Sequence, residues 1–195
     1  MPYWLFHNMS DADALSVVAF LRSLPPVAAT VVTTKPDAIL VAPLLPSSLP
    51  DTTLLSTDSA YAEAQRGKYL VSGVTQCVRC HSPVTAGIPV PDFFSGVPPV
   101  PPTTANPNPK FAPNLTPDDT GLKDWTAADV AKALKEGINK AGQVLCGSMP
   151  SAAKGYGGMS DADAHAIGVY LTTIPKVSKP AADPALQPAC PPPTP

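Results

Sequence analysis

The chain has 195 residues, enough for one ordinary domain with extensions or for two very small ones. Its 13 Lys and Arg against 15 Asp and Glu leave a net charge of −2 with no basic stripe, so nucleic-acid binding is not expected. The 27 prolines far exceed the usual share of ~5% and cluster in three stretches, which argues for long irregular or extended segments.

The start, Met1-Pro2-Tyr3-Trp4, has no positive region ahead of an apolar run and does not read as a secretory signal. The first predicted element is a helix after the cap Ser10, with Asp11 and Asp13 in its first turn, where the helix dipole favours negative charge. Leu24-Pro25-Pro26 ends it. The segment Met9-Ser-Asp-Ala-Asp-Ala14 recurs unchanged as Met159-Ser-Asp-Ala-Asp-Ala164, 150 residues later. The match continues as Phe20-Leu21 against Tyr170-Leu171 and Leu24-Pro25-Pro26-Val27 against Ile174-Pro175-Lys176-Val177. The chain is therefore expected to open with the closing helix of one unit (residues 1–27) and to contain one complete later unit. Residues 28–57 follow as a Pro-rich linker. Lys35, Pro36, Asp37, Pro43 and Pro46 interrupt its apolar run, whereas a membrane span needs ~20 mostly apolar residues.

The complete unit is expected over residues 58–178. Its first helix is predicted over about 59–72, capped by Asp58 or Ser59, with Tyr61, Ala64, Tyr69 and Leu70 buried. Next comes Cys77-Val78-Arg79-Cys80-His81, the C-x-x-C-H form of a c-type haem attachment site. Two cysteines one helical turn apart can reach both vinyl groups on one porphyrin edge, and the next residue carries an imidazole beneath the iron. Half a zinc site, a redox dithiol and a plain disulfide are the alternatives. They are disfavoured because no second close cysteine pair and no βαβ pattern accompany the motif, and a disulfide leaves His81 unexplained. Residues 82–124 form a long Pro- and Gly-rich stretch that a cofactor would have to order.

A second helix is predicted from the cap Thr126 to Gly137, with Val130, Leu134 and Ile138 on one face. A loop containing Met149 precedes the last helix. An electron-transfer haem takes a second axial ligand, commonly a thioether. Only Met149 and Met159 lie downstream of the motif; Met149 is preferred because Met159, just before the cap Ser160, suits a hydrophobic staple. The Pro- and Ala-rich tail, residues 179–195, is expected to run extended over the surface. Cys146 and Cys190 are expected to pair as a disulfide in an oxidising compartment, with two unpaired thiols as the alternative. His165 reads as a solvated surface residue, and His7 has no second ligand near it; Arg66, Lys68 and Arg79 read either as contacts to haem propionates or as ordinary solvated charges.

Three groups of residues then carry a family resemblance. They are Arg66-Gly67-Lys68-Tyr69-Leu70 before the motif; Ala112-Pro113-Asn114-Leu115-Thr116-Pro117-Asp118 with Thr120-Gly121 and Asp124-Trp125-Thr126; and Leu145-Cys146-Gly147-Ser148-Met149-Pro150 with the helix ending in Tyr170-Leu171. Together they resemble class I cytochrome c domains of the multi-haem type, as in cytochrome subunits of periplasmic alcohol, gluconate and aldehyde dehydrogenases. The resemblance implies an all-α, cytochrome c-like domain around one covalent haem c. It implies Cys77 and Cys80 as attachment points, His81 and Met149 as iron ligands, and Asn114 and Trp125 as haem-pocket residues. It also implies an electron carrier rather than an enzyme, passing electrons from a periplasmic dehydrogenase subunit to another cytochrome or an oxidase. A haem enzyme with a labile sixth ligand and a structural, filament-forming haem protein are the alternative functions. The family usually carries whole haem domains in series, so the lone N-terminal helix leads to the expectation of an incomplete chain, with a one-haem protein whose first helix packs on the later domain as the alternative.

Overall fold

The computed structural model describes residues 3–28, 48–85, 88–89, 92–97, 112–145 and 156–179. Its described part is helical, apart from one antiparallel ribbon in which Val84–Thr85 pairs with Ile88–Pro89. The helices are α1 (Tyr3–Phe6), α2 (Asp11–Ser23), α3 (Tyr61–Tyr69), α4 (Cys77–His81), α5 (Ala127–Glu136) and α6 (Asp161–Thr173). A π-helical turn, Leu70–Val74, joins α3 towards α4, and Tyr156–Gly158 forms a 3₁₀ turn ahead of α6. The helix expected over 59–72 is thus shorter and ends in a π turn, with Thr75 closing it by bonding the Leu70 carbonyl through N–H (2.9 Å) and Oγ1 (3.1 Å). Its first turn has no side-chain cap: Ala60 is the cap residue, and Asp58 bonds the Leu55 N–H instead, at 2.7 Å. Ala64 and Leu70 are buried as expected, whereas Tyr61 and Tyr69 are half-buried.

The other caps follow the sequence closely. Thr126 and Asp129 form a reciprocal capping box at the start of α5, and Gly137 at φ 69° ends it in the left-handed conformation that glycine tolerates. Ser10 and Ser160 accept the N–H of Asp13 and Asp163 at 3.2 and 3.1 Å, so the repeated motif makes the same cap twice.

Helix α6 is the centre of the core. Ala166, Ile167, Tyr170, Leu171 and Ile174 on it pack with Leu70, Val71, Val78, Phe94, Leu122, Val130 and Leu134. Two close crossings hold it. A Cβ at Gly67 of α3 would stand 2.0 Å from the Ala166 carbonyl oxygen, and one at Gly168 would stand 2.3 Å from the Ala127 carbonyl oxygen of α5. Only glycine lets the backbones approach so far. Phe94 meets the Tyr170 ring edge to face at 6.0 Å, and the Tyr170 hydroxyl donates to the Pro50 carbonyl at 2.7 Å.

The N-terminal segment divides in two. Leu5 of α1 is fully buried in this same core, and Asn8 passes against Gly73 of the π turn. By contrast, α2 has no buried residue, and Leu15, Val17, Val18, Phe20, Leu21 and Leu24 are all exposed. Among the described residues, no helix is long and apolar enough to cross a membrane.

Candidate functional site

The π turn leads into α4 through Gln76, held at φ 59°, and α4 consists of the five motif residues themselves. Cys77 is buried and Cys80 exposed, and both are free thiols. Burial pushes the Cys77 thiol up to about 11, so it rests protonated at neutral pH. Thr75 Oγ1 lies 3.1 Å from its sulfur. The Tyr156 hydroxyl donates to the Thr75 carbonyl, tying the turn before α6 to the segment before α4. Burial raises the Tyr156 hydroxyl well above its ordinary value, which keeps it a donor.

His81 is buried, and its Nδ1 stands 2.8 Å from the Pro113 carbonyl oxygen. A carbonyl can only accept, so Nδ1 carries the proton and Nε2 keeps its lone pair. Burial also lowers the His81 pKa, more than the Pro113 bond raises it, which favours the neutral imidazole a metal requires. Metal-ligating imidazoles are commonly oriented in this way, with the far nitrogen donating to a backbone carbonyl. The His81 backbone is itself fixed, because its carbonyl accepts the Gly96 N–H at 2.8 Å. These residues fit a covalent haem: two free thiols one turn apart, followed by an imidazole with the correct nitrogen available.

Asn114, next to Pro113, is buried with its amide fully engaged. Its Nδ2 donates to Thr120 Oγ1 and the Val177 carbonyl, both at 2.9 Å, and its Oδ1 accepts from Thr116 N and Oγ1 at 2.8 Å. It therefore fixes the loop that presents the Pro113 carbonyl. Trp125 is half-buried against the core, and so is Met159, directly before the cap of α6. Met149, Cys146 and Cys190 lie outside the described residues. Arg66 pairs with Asp163 at 2.9 Å, Lys68 with Asp51 at 2.5 Å, and Arg79 is exposed. His165 is half-exposed, with Nδ1 2.6 Å from Glu63 Oε1. Among the described residues, an open cleft of about 670 Å³ lies away from the motif, lined by Glu63, Lys132, Lys135, Asp161 and His165. It is shallow and holds no cluster of potential metal ligands, so the chemistry of the buried motif outweighs it.

Sequence reasoning did not assign Pro113, Thr75 or Tyr156. Pro113 stood within the quoted resemblance, but a backbone carbonyl leaves no signal of its own in side-chain identity.

A helical domain that folds over a C-x-x-C-H turn and orients its histidine with a backbone carbonyl has the architecture of a cytochrome c-like domain. Sequence likeness agrees, although no family model matches the chain. The chain is 30% identical over 118 residues to a protein of Cereibacter sphaeroides named diheme cytochrome c-type, covering 59% of this chain and 36% of that protein. It is 35% identical over 111 residues to the gluconate 2-dehydrogenase cytochrome c subunit of Pantoea cypripedii, covering 56% and 23%. It is 30% identical over 198 residues to the alcohol dehydrogenase (quinone) cytochrome c subunit of Gluconacetobacter polyoxogenes, covering 91% and 40%. The chain spans well under half the length of the curated relatives it matches.

Proposed function

We propose that this chain is an electron-transfer unit carrying one covalent haem c, and that it serves a dehydrogenase as its cytochrome. The observation that carries the reading is His81, buried directly after two free thiols spaced one helical turn apart, with Nδ1 donating to the Pro113 carbonyl. Cys77 and Cys80 would hold the haem by thioether bonds, and His81 and Met149 would bind its iron. Asn114 and Trp125 belong to the surrounding pocket, Asn114 by holding the loop that carries Pro113. When bound, haem c supplies a one-electron couple. With His81 and Met149 both holding the group, the protein's tasks would be tuning its potential and docking partners. His81 contributes through its oriented, hydrogen-bonded ring, and the packed core contributes by excluding water. The partners are redox proteins: a dehydrogenase subunit as donor and another cytochrome or an oxidase as acceptor. The compartment is the periplasm, where a Cys146–Cys190 disulfide would also persist.

The test is production of the chain in a host with haem c maturation. One haem per chain should survive denaturation and be lost in the Cys77→Ala/Cys80→Ala double variant. Absence of covalent haem from the unaltered chain would overturn the reading. The oxidised protein should show the weak near-infrared band of a methionine–iron bond. That band should vanish in Met149→Ala and persist in Met159→Leu; high-spin iron that readily binds carbon monoxide in the unaltered protein would sink the carrier reading.

A further inference from the structure

Tyr156 comes from a different part of the chain than the motif, yet its side chain ends beside it. It opens the 3₁₀ turn Tyr156–Gly158, which packs on α5 and leads into α6, with the Met159 N–H bonded to the Tyr156 carbonyl at 2.9 Å. Its ring is half-buried against the core, and its hydroxyl reaches across 81 positions of sequence to donate to the Thr75 carbonyl. Thr75 is itself held firmly. It is buried and bonds the Leu70 carbonyl twice, through N–H and Oγ1, and Oγ1 also lies 3.1 Å from the Cys77 sulfur.

The charges felt by Tyr156 agree with that placement. After burial, Cys77 and then Cys80 oppose ionisation of its hydroxyl, so both sulfurs lie within electrostatic reach of one phenol oxygen. We propose that Tyr156 is a positioning residue of the haem site, which holds the turn before Cys77 to the α6 side of the domain and closes the edge at which the two cysteines stand. This rests on the cytochrome reading above, because only a group joined to both cysteines has an edge there.

The consequence is a redox one. The oxidised centre carries one more positive charge than the reduced centre, so excluding water from the edge disfavours the oxidised form and raises the potential. Without the hydroxyl, the buried Thr75 carbonyl loses its donor, and a water that takes over the bond brings solvent to that edge. A brace that served the fold alone would change stability and leave this balance where it was.

The experiment compares the haem-loaded full chain with Tyr156→Phe, which keeps the ring and removes only the hydroxyl. Thr126→Ala is the control for lost stability, since the Thr126 hydroxyl bonds Asp129 within the α5 cap. Both variants should unfold at lower denaturant, but only Tyr156→Phe should have a lower reduction potential. An unchanged potential in Tyr156→Phe, or an equal shift in both variants, would overturn the inference. A second measurement needs no variant. In the reduced, unaltered protein, nuclear Overhauser contacts should join the Tyr156 ring protons to protons of the haem's thioether bridges, and their absence overturns the inference whether or not Tyr156→Phe accumulates with haem. Covalent haem without these contacts or this shift removes the role of Tyr156 alone; no covalent haem in the unaltered chain removes the cytochrome reading as well.

Discussion

His81 owes its fitness as a ligand to a carbonyl 32 residues away in sequence, and the loop that presents that carbonyl is held by Asn114. Removing the Asn114 amide should therefore act at a distance. Asn114→Ala leaves Thr116 and the Val177 carbonyl short of partners, at a cost of about 2 kcal/mol. The same change should shift the reduction potential, because the Pro113–His81 bond loosens; denaturant unfolding and redox titration of the same holoprotein would show both effects. A purely structural role would move only the first. A second residue-scale expectation concerns acid. The Asp163 carboxyl lies below the ordinary carboxylate range, first because Arg66 hydrogen-bonds it, against a smaller opposing effect of burial. Its folded pKa is depressed, so its stabilising contribution is present above an unfolded value of ~4 and disappears as pH falls through the folded value. The pair is partly exposed, which limits it to about 0.5 kcal/mol. Asp163→Asn should be slightly less stable than the unaltered protein at neutral pH and equal to it in strong acid, measured by thermal unfolding across pH.

At the scale of elements, the helices stand on two different kinds of support. α5 begins with a reciprocal cap, and Thr126→Ala should lower stability by about 1 kcal/mol with the haem spectrum unchanged. α3 and α6 depend on backbone proximity instead. Gly67→Ala places a methyl 2.0 Å from a carbonyl that cannot retreat, so it should cost about 3 kcal/mol and lower the yield of haem-loaded protein. Equal stability of this variant and the unaltered chain would mean that the crossing is looser than described. These elements also show what the residues alone disclosed. Ser10, Ser160, Thr126 and Gly137 are local signals, since a cap acts within one turn, and each sits where the sequence places it. The π turn and the partial exposure of Tyr61 and Tyr69 go with packing against α1 and α6, and with the Tyr69 hydrogen bonds to Ser10 and Asp13, which no local pattern encodes.

Across the whole molecule, the repeat was visible in the letters, while the contrast between its two copies was not. Identical Ser-Asp-Ala-Asp starts predict the same helix twice; only three-dimensional neighbours decide that one copy is a core and the other a bare face. Leu5 lies in the core formed by the later helices, and Asn8 stands against Gly73, contacts between residues far apart in the chain that no local pattern announces. The motif, by contrast, was legible because two cysteines and a histidine within five positions define it, and the structure adds the hydrogen bond that selects its nitrogen.

The π turn at Leu70–Val74 finally sets a phase relation between two fixed points. Upstream, Gly67 is locked against Ala166; downstream, Cys77 and His81 must face the interior. Ordinary α-helix turns the chain by about 100° per residue, and the wider π turn, bonded one residue further along, turns it by less. The five residues therefore hold about one residue more than an α turn needs for the same rotation. Loss of one residue here is absorbed by reversion to ordinary α-helix with the cysteines kept on their side, whereas a loss within α3 has no such slack to draw on.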